Sequence, residues 1–70
     1  MAYKCRLKVI FAENNIKHGQ FADLIGIDKS TMSSIVNGKS LPSFDTLYDI
    51  VEEIRKINPD VRLNDIWRKE

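Results

Sequence analysis

Five polar side chains fall on one short stretch, KSTMSSIVN: Lys29, Ser30, Ser33, Ser34 and Asn37, with Thr31 at their edge. At helical spacing they share a face opposite Met32 and Ile35. Their groups are short or flexible donors and acceptors plus one cation, and no glutamate among them would repel an anion. That chemistry suits recognition of a polar, negatively charged surface. It does not suit catalysis: the serines have no histidine or lysine poised as a base, so none is a candidate nucleophile and no enzyme is expected. The single histidine, His18, and the single cysteine, Cys5, cannot build a metal site or a thiol pair, so neither metal nor cofactor is expected. Cys5 reads as a partly buried small apolar residue.

A face of this kind must be held by its neighbours, and FADLIGIDKSTMSSIVNGKS shows how. A helix starting near His18 turns Phe21, Ala22 and Ile25 inward and is stopped by Gly26. Ala22 is small enough to let two helices cross closely, and Gly26 supplies the positive φ of a tight turn. Ile27, Met32 and Ile35 pin the next helix at a steep angle. Asp28 is placed to cap that helix through its carboxylate, and Asn37-Gly38 closes it. A major groove about 12 Å wide admits one helix with such a face.

The rest of the chain reads as further helices. Tyr3, Leu7, Ile10 and Phe11 recur at spacings of three and four, and this first helix should end near Asn14-Asn15. Pro42 keeps Leu41 extended, and Ser43 can cap a fourth helix whose inward face is Phe44, Leu47, Ile50, Val51, Ile54 and Ile57. Asn58-Pro59-Asp60 ends it. Val61 to Trp67 is expected to form a short last helix, with Arg62 a poor cap. No strand, internal repeat or low-complexity segment is expected. The predicted architecture is all-α, a compact five-helix single domain over residues 1–70.

Seventy residues bury roughly 60% of the surface of the unfolded chain in one core, so function must sit outside it. Hydrophobic residues at 43% and charged residues at 30% are those of a globular chain. No apolar run approaches the ~20 residues of a membrane span, and Lys4, Arg6 and Lys8 alternate with apolar residues where a signal-peptide core would lie. A complete, soluble, cytoplasmic protein with no membrane partner and no small-molecule site is expected. Net charge is only +1, but it is unevenly spread. Residues 1–40 hold six Lys/Arg against three acids, and residues 41–70 hold five against seven. The basic half contains the polar helix face.

The twenty-residue pattern HGQFADLIGIDKSTMSSIVN, followed by NGK and Pro42, resembles the Cro and lambda-repressor-like helix-turn-helix proteins of the XRE family. The resemblance covers about Leu7 to Leu47, and the closing RLNDIW looks like the family's last short helix. It implies a lambda-repressor-like fold, with the helix-turn-helix at about residues 18–37, and sequence-specific binding of double-stranded DNA. Carried over position by position, it implies base reading by Lys29, Ser30 and Ser34, with Thr31 and Ser33 beside them. His18, preceded by Lys17, stands where the family grips a phosphate. Asn37, Gly38, Lys39 and Ser40 look like a second phosphate clamp of amide hydrogens and a cation. The chain departs from the family in three places. Phe11 and Val36 stand where many members pair an arginine with a glutamate, no arginine lies near Ser43 to enter the minor groove, and the segment Arg55 to Asp60 is longer than the usual glycine turn.

The resulting expectation is a small bacterial or phage transcriptional regulator, repressor-like, acting as a homodimer on an inverted repeat. His18 reads equally as a surface or capping residue. Leu63, Ile66 and Trp67 can close the core or form a dimer seam. The alternative function is a protein-interaction module of the same fold, an antitoxin or anti-regulator. The acidic residues Asp45, Asp49, Glu52, Glu53 and Asp60 leave room for it.

Overall fold

The computed structural model describes residues 3–69 and places five helices and two short strands in chain order. They are β1 (Tyr3–Cys5), α1 (Leu7–Glu13), α2 (His18–Ile25), α3 (Lys29–Val36), α4 (Phe44–Ile57), α5 (Leu63–Ile66) and β2 (Trp67–Lys69). The single-domain expectation for residues 1–70 includes Met1, Ala2 and Glu70, which lie outside the described residues.

The helices follow the apolar periodicity. Leu7 and Phe11 from α1, Phe21 and Ala22 from α2, Met32 and Ile35 from α3, and Ile50 and Ile54 from α4 meet in one buried cluster with Val61, Ile66 and Trp67. Burying each large apolar side chain stabilises the fold by about 1.5–3 kcal/mol, which makes this cluster the main cohesive element of so short a chain. Phe11 tilts against Phe21 with ring centroids 4.9 Å apart, so α1 and α2 are joined through aromatic contact. Phe11 and Val36, at the positions of the family's ion pair, are both buried in the cluster.

Three helices end in the same way. Asn15, Gly26 and Gly38 each adopt positive φ, at 56°, 76° and 74°. The amide after each one bonds back across the turn: Ile16 to Phe11 O at 2.8 Å, Ile27 to Ala22 O at 3.0 Å, and Lys39 to Ser34 O at 2.9 Å. These left-handed closures satisfy carbonyls that would otherwise be orphaned at a helix end. Ser43 caps α4 as expected, its Oγ accepting the Thr46 amide at 3.5 Å. At the far end the Asn58 side chain accepts the Asp60 amide at 3.2 Å and turns the chain.

Four expectations are corrected. The fold is not purely helical, because β1 and β2 pair antiparallel with Tyr3 opposite Lys69, Lys4 opposite Arg68 and Cys5 opposite Trp67. Tyr3 therefore belongs to a strand and not to the first helix, and Trp67 leaves the last helix for β2. The pairing continues into a 2.7 Å bond from the Arg6 amide to the Ile66 carbonyl, so the two ends of the chain support each other's backbone. Phe44 and Ile57 do not face inward; they are 77% and 53% exposed. They are the first and last residues of α4 and overhang the core, and Phe44 pairs instead with Tyr48 one turn on, ring centroids 6.4 Å apart. Finally, Asp28 occupies the N-cap position with extended backbone, but its carboxylate makes no capping bond.

Arg62 is indeed no cap by its side chain. The first turn of α5 is held instead from within the helix, where the Asp65 carboxylate accepts the Arg62 amide at 2.9 Å. Among the described residues no helix is long and apolar enough to cross a membrane.

Candidate nucleic-acid interface

The turn between α2 and α3 fixes the site. Gly26 sits at φ 76° and ψ 35°, and Ala22 and Met32 are fully buried beneath it. With those side chains inward, α3 turns Lys29, Ser30, Thr31, Ser33 and Asn37 to the exposed side, with Ser34 half-buried at the margin. Asn37 donates from Nδ2 to Ser33 Oγ at 3.3 Å, which links the two polar groups at the end of this face.

The side chain that opens α3 reaches back to the first turn of α2. Lys29 opens α3, and its Cε comes within 3.2 Å of the point where a Cβ on Gly19 would stand. No side chain caps either helix, and neither carries an acid in its first turn. The amide hydrogens at both N-termini are therefore without side-chain acceptors, and the helix dipole favours negative charge there. His18 is exposed at the start of α2, its ring tilted over Phe11 with centroids 5.2 Å apart. That aromatic contact orients the imidazole while leaving it at the surface. Lys17, immediately before it, is exposed as well.

Past α3, the turn of Asn37, Gly38, Lys39 and Ser40 is exposed throughout. Three of its four amide hydrogens are already taken. The amides of Asn37, Gly38 and Lys39 bond to the carbonyls of Ser33, Ile35 and Ser34 at 2.9, 3.1 and 2.9 Å, because the helix end needs them. What this turn offers outward is the Lys39 ammonium with the Ser40 amide and hydroxyl. The turn is braced from below: Cys5 Sγ donates to the Ile35 carbonyl at 3.3 Å, and burial raises the Cys5 thiol pKa. The strand missed by periodicity thus supports the end of the polar helix.

Among the described residues the one ion pair is Lys56 with Glu53 at 2.9 Å, far along α4. Lys17, Lys29 and Lys39 are exposed and no carboxylate holds them, a lack of pairing shared by every described lysine and arginine except Lys56, which leaves their charge available to an anion. No group of three potential metal ligands converges among the described residues. Of the three residues read as a possible dimer seam, Ile66 is fully buried and Trp67 is 6% exposed within this chain's own core, so only Leu63, at 45%, has surface to offer.

A family model described as Helix-turn-helix matches residues 7–61, well over half of the chain. The chain belongs to the XRE-type helix-turn-helix family. No curated protein and no solved structure matches it. As an XRE-type domain it is a DNA-binding regulator, and the matched span contains the whole of α1 to α4. It excludes β1, α5 and β2, so the two-stranded sheet and the closing RLNDIW segment lie outside the part the family model describes. Gly19 escaped the sequence reading. Its signal was a glycine inside a helix, where it is a poor helix former, with no turn to require it.

Proposed function

We propose that this XRE-type protein is a small repressor-like transcriptional regulator that reads duplex DNA with α3 in the major groove. The observation that carries this reading is the exposed polar face of α3, whose Lys29 side chain reaches the first turn of α2, with Lys17 and Lys39 exposed at the start of α2 and past the end of α3 and none of the three paired among the described residues. Phosphates would meet the first turn of α2, through Lys17 and His18, and the Lys39-Ser40 turn beyond α3. Between these grips Lys29 and Ser30 would reach base edges, with Thr31, Ser33 and the half-buried Ser34 alongside. Lysine can donate to guanine O6 and N7; the hydroxyls discriminate less. Phosphate contacts supply most of the affinity and the base contacts supply the preference.

One module of this size covers few base pairs. We therefore infer a homodimer on an inverted repeat, with half-sites about 34 Å apart, working in the cytoplasm of a bacterium or an infected cell. The remaining surface for a seam is apolar: Leu63 lies with Tyr3, Leu41, Leu47 and Trp67 around a shallow groove of about 350 Å³.

A protein-interaction module is the second reading, favoured by the exposed aromatic pair Phe44 and Tyr48 on α4. Selection of bound sites from random DNA duplexes separates the two. Enrichment of one symmetrical motif is expected. Recovery of no preferred sequence, with retention only by a protein partner, would establish the second reading instead.

A further inference from the structure

Gly19 is the second residue of α2 and has no evident backbone reason to be glycine. It is not among the residues with positive φ, which are Asn15, Gly26 and Gly38. In the first turn glycine costs less than the ~1 kcal/mol of a helix interior, but the α2 backbone gains nothing from it over alanine. What the missing side chain provides is room. A Cβ there would stand 3.2 Å from Lys29 Cε and 3.7 Å from both Lys29 Cδ and Lys29 Nζ. The outer methylenes and the ammonium of Lys29 therefore rest against the bare backbone of Gly19.

From this we infer that Gly19 is a positioning residue for sequence reading: it seats Lys29 and so determines which base edge the lysine reaches, without itself touching DNA. The inference rests on the DNA-reading role assigned to Lys29 above. A free lysine has four rotatable side-chain bonds and loses much of that freedom when it fixes on a base. Seated along α2, Lys29 begins with fewer arrangements, and its ammonium starts from one place on the interface. That is preorganisation, which improves both affinity and discrimination. A methyl group at residue 19 would be tighter than ordinary contact allows. The flexible lysine would give by a few tenths of an ångström, leaving the fold intact and the charge in place but moving the ammonium off its starting point.

The seating can be observed directly in the free protein. Nuclear Overhauser contacts between the Gly19 α-protons and the Lys29 ε-protons are expected, and their absence would overturn the inference without any substitution. The functional test compares wild type, Gly19→Ala, Lys29→Ala and the double variant on the preferred duplex and its single-base substitutions. Gly19→Ala is expected to keep or raise thermal stability, since alanine favours the helix. It should nevertheless lower discrimination at the Lys29-dependent base pair by roughly three- to ten-fold, a part of the range a good lysine contact supplies. In a Lys29→Ala background the same change should have no further effect, because the two residues act through one contact. Gly19→Ala with discrimination unchanged, or with equal effects in both backgrounds, would remove Gly19 from the reading. These outcomes are distinct from failure of the proposed function, in which the wild type itself would show no base preference.

Discussion

The Ala22 carbonyl accepts the Ile27 amide at 3.0 Å across a left-handed Gly26, and this one bond links the end of α2 to the approach of α3. Nothing lies within 4 Å of a Cβ at Gly26, so any cost of a side chain there is conformational and not steric crowding. Gly26→Ala is expected to destabilise the domain by about 1–2 kcal/mol in chemical denaturation, the penalty of a left-handed L-residue. Gly26→Asn should cost less, since asparagine tolerates this conformation. An unchanged denaturation midpoint for the alanine variant would show that the turn relaxes and does not fix the angle between the helices.

Trp67 and Leu63 should separate folding from assembly. Trp67 closes the core, and truncating such a residue costs about 3–5 kcal/mol, a large share of the stability of a small domain. Trp67→Ala is therefore expected to unfold most of the population by circular dichroism. Leu63 is half exposed on the apolar groove, so Leu63→Glu should leave the fold standing while shifting sedimentation toward monomer. A wild-type dimer that withstands Leu63→Glu would place the seam elsewhere.

Cys5 offers a chemical probe of the sheet. Burial raises its thiol pKa, and its Sγ is held on the Ile35 carbonyl, so the reactive thiolate is scarcer in the folded protein than in the unfolded chain. Iodoacetamide should label the native protein more slowly than the denatured one at mildly alkaline pH. With the folded pKa the higher of the two, this group's contribution to stability is fully present below the unfolded pKa. It is lost as pH rises through the folded pKa. Equal labelling rates in the two states would mean that β1 does not cover the thiol.

Much of this architecture was legible in the sequence, and the misses have physical causes. The helices from Leu7 to Ile57 follow from period-3.6 apolar spacing and from Gly26, Gly38, Ser43 and Pro42, all of which act locally. Strand β1 was hidden by an ambiguity: Tyr3, Leu7, Ile10 and Phe11 fit a helix, while Tyr3, Cys5 and Leu7 alternate with Lys4, Arg6 and Lys8 as a strand would. The alternation counts because its partner, Trp67–Lys69, lies at the other end of the chain, and local periodicity does not announce a distant pairing. In the candidate site the outward residues of α3 could be read off, because burial of Met32 and Ile35 dictates them. The seating of Lys29 on Gly19 could not, since it depends on the crossing of two helices. The same holds for the amides of the Asn37-Gly38-Lys39 turn, which the helix end uses before any phosphate can.

Lys39 is expected to grip without reading. With Lys17 and Lys39 from each subunit of a dimer, at least ~4 phosphates are neutralised, so log affinity should fall against log salt with a slope of roughly −4 or steeper. Lys39→Ala should weaken binding to all duplexes alike and flatten that slope by about one unit per subunit. Affinity that does not vary with salt would contradict phosphate binding by this face.

The central claim is that α3 reads sequence, and Lys29→Ala tests it most directly. The measurement is a binding titration of this variant against the preferred duplex and each of its single-base substitutions, at two salt concentrations. Because Lys29 is exposed, the fold should be unaffected. The expected loss is about 1–3 kcal/mol on the preferred duplex, with preference relaxed at one base pair per half-site. Uniform weakening on every duplex, with the base preference intact, would contradict the account and make Lys29 another phosphate grip.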